Sequence, residues 1–118
     1  MENTNELALC SKEISIELGN LGFDWKCNCF YRDIELNDEF LPFPKIISIP
    51  TQSLAVKWFR KIHDIAITIC PKSHHVFYYH IITGDNEYIG NNRTDFELAE
   101  KQGIEQAIEI LKKRNKTI

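Results

Sequence analysis

Four cysteines and four histidines are the residues here whose chemistry is most specific. Cys27 and Cys29 stand two apart, and His74 and His75 are adjacent. Together they offer four soft or borderline donors, the number a structural zinc ion takes. The spacing argues against it. Zinc pairs are usually separated by two to four residues, or three to five for histidines. Neighbours on a strand also point to opposite faces. We expect two thiols at a strand, a polar hairpin tip and no metal. A nucleophilic site needs a base within reach of the nucleophile and a third group to orient that base. His63 and Asp64 are neighbours at a helix end and cannot easily orient each other. The five glycines form no phosphate-cradling pattern. No catalytic residue and no cofactor is expected, and His63 reads as a helix C-terminal histidine favoured by the helix dipole.

The elements that position these residues follow from hydrophobic period. Residues 5–21 carry Leu7, Cys10, Ile14, Leu18 and Leu21 at helical spacing, with Asn5 or Thr4 as cap and Gly22 as terminator. Gly22 would let Phe23 fold back on the last turn. Residues 28–36 alternate as a half-exposed strand, followed by a break at 37–39 and a Pro-bounded loop at 41–44. Residues 45–49 allow a short second strand. Residues 51–64 form an amphipathic helix capped by Thr51. Its stripe is Leu54, Ala55, Trp58, Phe59 and Ile62, and its outer face carries Lys57, Arg60 and Lys61.

A hairpin follows. Residues 65–70 alternate, 71–75 supply a five-residue turn, and 76–83 are aromatic and β-branched. The expected register sets Cys70 opposite Val76, Ile69 opposite Phe77, Ile67 opposite Tyr79 and Ile65 opposite Ile81. One face is then apolar, and the other holds Ala66, Thr68, Tyr78, His80 and Ile82. Tyr88-Ile89 allows a further strand after the turn at 84–86. A last helix spans 95–113, capped by Asp95 or Thr94. Its stripe is Ala99, Gly103, Ile104, Ala107, Ile108 and Leu111. Gly103 on that stripe implies close approach to another backbone.

The expected architecture is a single α+β domain over residues 1–118, in the order α-β-(β)-α-β-β-α. It has three helices on an antiparallel sheet of three to four strands. A chain of 118 residues is long enough to bury roughly 65% of its unfolded surface. No apolar run reaches the ~20 residues of a membrane span, and Met1 to Asn5 has no signal-peptide character. The protein is therefore expected in the cytoplasm, with reduced thiols and no membrane partner.

The stretch Pro50-Thr51-Gln52-Ser53-Leu54, with Lys57-Trp58-Phe59-Arg60 and His63-Asp64-Ile65, resembles a signature in small hypothetical proteins of gut bacteria and their prophages. Gly22-Phe23-Asp24 and Cys27 fit the opening of that family. Phe96-Glu97-Leu98-Ala99 and Gly103-Ile104 through Ala107 fit its C-terminal helix. The family is uncharacterised, so it lends no catalytic residues. The resemblance implies a phage or mobile-element accessory protein. Trp25-Lys26 and His74-His75 depart from the pattern.

Charge divides the remaining functional readings. The net charge is −3, with nine acids against three bases in residues 1–39 and one acid against five bases in 40–80. A dedicated duplex binder needs a larger positive excess. The first reading is thus a non-catalytic protein-interaction module, whose partner is another protein or a second copy. Its binding residues would be Lys57 and Arg60 on the basic helix and Tyr78 and His80 on the outer hairpin face. Tyrosine on such a face is a common interface anchor. The alternative is nucleic-acid binding through the basic helix 51–64 and the C-terminal basic run.

Overall fold

A computed structural model describes residues 8–27, 29–33 and 45–116. Helix α1 is Lys12–Asn20, strands β1 and β2 are Cys29–Asp33 and Lys45–Ile49, and helix α2 is Gln52–His63. Strands β3, β4 and β5 are Ala66–Ser73, Val76–Thr83 and Asn86–Ile89, and helix α3 is Phe96–Lys116. The class is α+β, with three helices as expected. Both optional strands form. β1 pairs antiparallel with β2, and β3, β4 and β5 make a second antiparallel sheet in that order. The candidate cap at 4–5, Leu7, the strand extension at 34–36, the break at 37–39 and the loop at 41–44 lie outside the described residues.

The first helix is shorter than its apolar period. It begins at Lys12, with Ser11 as N-cap accepting from the Ile14 amide at 3.2 Å. The preceding residues are drawn into a bridge instead. The Cys10 amide donates to the Pro50 carbonyl at 2.9 Å, and the Gln52 amide donates to the Ala8 carbonyl at 2.8 Å. Cys10 is buried, but in this extended segment rather than on the helix. Burial, with Glu100 and Cys27 nearby, pushes its thiol up to about 12. At the other end Gly22 adopts φ +101°, a conformation that costs other residues dearly. The Phe23 amide then reaches the Leu18 carbonyl at 2.9 Å and the Gly22 amide the Gly19 carbonyl at 3.1 Å. This is the expected fold-back, a Schellman motif. It delivers Phe23 edge-on to Trp58, with centroids 5.3 Å apart.

The core is built from α1 (Ile14, Leu18), α2 (Ala55, Trp58, Phe59), the sheet (Ile65, Ile67, Ile81) and α3 (Ile104, Ala107, Ile108, Leu111). Thr51 caps α2 by accepting from the Leu54 amide at 3.1 Å. The stripe of α2 holds except at its end. Ile62 is 54% exposed, and His63 makes the last contact, its ring 4.6 Å from Trp58. α3 carries its expected stripe into the core and is capped by Asp95, whose carboxylate accepts from the Glu97 amide at 3.0 Å. A Cβ on Gly103 would stand 3.0 Å from Ile67 Cγ2 and 3.1 Å from Tyr79 Cβ. The close approach is thus to sheet side chains, not to another backbone. Glu17 of α1 and Lys112 of α3 pair at 3.0 Å across the surface. Among the described residues no helix is long and apolar enough to cross a membrane.

The β3–β4 register differs from expectation by two residues. Cys70 faces Tyr78, Ile69 faces Tyr79 and Ile67 faces Ile81. The cause is the turn. β3 runs on through Pro71 to Ser73 with an irregularity between those two, leaving only His74 and His75 to reverse the chain. A two-residue slip keeps every side chain on its own face, since the period is two. The inner face therefore remains Ile65, Ile67, Ile69, Tyr79 and Ile81.

Candidate interaction surface

The outer face of the three-stranded sheet is set by that alternation. Thr68 of β3, His80 of β4 and Ile89 of β5 lie in one cross-strand row. Ala66, Ile82 and Glu87 make the next row, and Cys70 and Tyr78 lie on the other side of His80. α3 packs on β3 and β4 from the inner side, where its Gly103 meets Ile67 and Tyr79. Among the described residues no helix packs on the outer side. Ile82 is 46% exposed and Ile89 65%. Tyr78 and His80 are half-buried by their strand neighbours. Aromatic and apolar groups that become buried drive association, and this face brings such groups together at the surface.

The face has relief. Past β5 the ladder is kept by the Gly90 amide donating to the Tyr79 carbonyl at 2.9 Å and by reciprocal bonds between Phe77 and Arg93 at 2.7 Å. Between these bonds two residues, Asn91 and Asn92, stand opposite the single Tyr78. On the opposite edge Lys72 sits within the irregularity of β3. A cleft of about 450 Å³ lies between them, lined by Pro71, Lys72, Tyr78, Ile89, Gly90, Asn91 and Asn92. Beside it, His80 Nε2 is 3.6 Å from Glu87 Oε1. That is too long for a hydrogen bond, and the imidazole nitrogen is otherwise unpartnered.

Of the residues expected to bind, Tyr78 and His80 share this face. Lys57 and Arg60 are exposed on α2, which packs against α3 and β3. Among the described residues no hydrogen bond, ion pair or ring contact links the two pairs. Pro71, Lys72, Glu87, Ile89, Asn91 and Asn92 join the surface without having been singled out in the sequence. Ile89 was reachable. Once Gly84 and Asp85 form the β4–β5 turn, period two places it beside His80.

The metal and nucleophile candidates are dispersed. His74 and His75 sit exposed at the hairpin tip, with ring centroids 4.3 Å apart. Cys27 precedes β1, its thiol donating to the Trp25 carbonyl at 3.5 Å. Cys29 begins β1, and its side chain lies outside the described ones. No group of three or more His, Cys, Asp or Glu converges among the described residues. His63 is the C-terminal residue of α2, as expected. Burial, then the Arg114 charge, pushes its pKa down. Arg114 itself fills the cationic place at the end of α2, donating to the His63 carbonyl and to Thr83 Oγ1, both at 2.9 Å. Compared with known protein families, with curated proteins and with solved structures, the chain matches none.

Proposed function

We propose that this chain is a small non-catalytic accessory protein of phage or mobile-element type. It acts in the cytoplasm by binding another protein through the outer face of β3-β4-β5. The observation that carries this reading is the pairing of Tyr78 and His80 with exposed Ile82 and Ile89 on a sheet face left open by α3. Exposed apolar area rimmed by polar groups marks interaction sites. The resemblance at Pro50-Thr51-Gln52 and Lys57 to Arg60 supports the mobile-element setting, and the free thiols of Cys10 and Cys70 suit a reducing compartment.

Nucleic-acid binding is the second reading. Lys57, Arg60 and Lys61 are exposed on α2, with no acidic partner among the described residues. One experiment separates the two. The tagged chain captures partners from a bacterial lysate, half of it nuclease-treated, alongside folded Tyr78→Ala and Arg60→Glu variants. The expected result is a nuclease-resistant protein whose affinity falls about tenfold on Tyr78→Ala, the ~1.4 kcal/mol of a modest hot spot. Capture that vanishes with nuclease and with Arg60→Glu overturns this in favour of nucleic acid. Two variants that bind everything as before overturn both.

A further inference from the structure

The polar side chains buried among the described residues are Ser15, Gln52, Thr83 and Glu100. All but the last have partners. Ser15 Oγ donates to the Ser11 carbonyl at 2.8 Å, Gln52 Nε2 donates to the Glu97 carbonyl at 3.1 Å, and Thr83 Oγ1 accepts from Arg114 at 2.9 Å. Glu100 is 8% exposed, and among the described residues its carboxyl has neither a hydrogen bond nor an ion pair. It stands one turn before Ile104, so helical period puts it on the buried stripe of α3. An ionised carboxylate is costly there, because burial removes water and no donor replaces it. Taking up a proton removes that cost.

Glu100 lies beside the place where three parts of the chain meet. The Gln52 amide at the start of α2 donates to the Ala8 carbonyl, and the Gln52 side chain reaches α3 at Glu97, one turn before Glu100. The Cys10 amide closes the same bridge on the Pro50 carbonyl. The titratable groups that act on Glu100 or its neighbours here are Glu97 on its own helix, Cys10 from the segment before α1, and Cys27 beyond Cys10. From α2 the neighbour of that turn is the neutral Gln52. None of these is a cation. Burial, then the Glu97 charge, pushes the Glu100 carboxyl above the ordinary 4.5.

We propose that Glu100 is a pH-sensitive latch on the junction of segment 8–10, α2 and α3. Protonated, it lets the junction close. Ionised, it favours local opening. The closed junction binds the proton more tightly than the open one. Closure is therefore strongest below the ordinary glutamate value and weakens as pH rises through the raised one. Linkage also fixes the size of the effect. Protection of the junction falls by the factor by which the proton affinity of closed Glu100 exceeds that of an exposed glutamate.

The test is amide hydrogen exchange of the intact chain from pH 4 to pH 8, each rate divided by the intrinsic rate at that pH. Carbon-13 NMR titrates the Glu100 carboxyl in the same sample. The Cys10 and Gln52 amides report the junction. The Gly90 amide, bonded to Tyr79, reports the sheet. In wild type, protection of Cys10 and Gln52 is expected to fall with rising pH, centred on the titration of Glu100 and by the factor that titration gives. In folded Glu100→Gln both amides keep their acid-side protection throughout, and Gly90 behaves alike in the two proteins. Profiles of Cys10 and Gln52 that are the same with and without Glu100 overturn the proposal. So does a fall shared in full by Gly90, which is global unfolding. Wild type decides alone if the variant does not fold: a carboxyl titrating at or below 4.5, or a raised titration with no matching fall in protection, overturns it as well.

Discussion

Replacing Trp58 with alanine is expected to bring the fold close to collapse. The indole is 1% exposed. It meets Phe23 edge-on at 5.3 Å, Phe59 at 5.0 Å and His63 at 4.6 Å. Phe23 comes from the turn after α1, and Phe59 and His63 from α2 itself, so one side chain fastens that turn to the helix. Truncating a buried aromatic to alanine costs about 3–5 kcal/mol, through lost transfer energy and a residual cavity. Native domains hold only about 5–15 kcal/mol in total. At roughly 4 °C per kcal/mol for a chain of this size, the midpoint should fall by more than about 10 °C. Urea or thermal unfolding followed by circular dichroism measures this directly, with Trp58→Phe as the milder comparison. A loss under ~1 kcal/mol, the scale of a surface change, would remove Trp58 from the core.

Gly90→Ala is the second large effect, and it couples stability to the surface. Its backbone is not left-handed, so conformational freedom is not the issue. A Cβ there would fall onto the Tyr79 ring, meeting Cε2 and Cδ2 and standing 2.8 Å from Cζ. Tyr79 has nowhere to retreat. Its Cβ and Cγ lie against Gly103 of α3, and its hydroxyl donates to Gln106 Oε1 at 3.3 Å. The clash is relieved only by pushing the segment after β5 away from β4. Overpacking of this kind costs about 1–3 kcal/mol. Because Gly90 also lines the outer cleft, partner affinity should fall with stability. Tyr78→Ala, by contrast, should lower affinity and leave the unfolding midpoint nearly unchanged. Adding Tyr79→Leu to Gly90→Ala should recover stability non-additively, since the two residues are in contact. Simple additivity would show that the ring is not the obstacle.

These effects mark where the sequence was informative. The stripes of α2 and α3 were legible because Trp58, Phe59, Ile104 and Leu111 recur at helical spacing, and local period decides which side of a helix is buried. Gly22 was legible because helix termination is local chemistry. The start of α1 was not. Leu7 and Cys10 continue the apolar period, but the bonds from Ala8 and Cys10 to Pro50 and Gln52 are made some forty residues away, and period carries no information about them. The hairpin faces were readable while the register was not. The faces depend on parity alone, whereas the register depends on whether Pro71 to Ser73 stay in the strand. Tyr78 and His80 could be placed on one face from sequence. That α3 would cover only the other face, and that an irregular β3 and an extra residue after β5 would frame a cleft, are tertiary outcomes. The separation of Lys57 and Arg60 from that face is another.

The most direct test of the outer face as the binding surface is residue-level labelling of tyrosine and lysine in the captured complex and in the dilute free chain. Tyr78 and Lys72 are expected to lose reactivity on binding, while Lys57 and Lys61 on α2 keep theirs. Tyr78 labelled at an unchanged rate in the complex, with protection moved to Lys57 and Lys61, would contradict it.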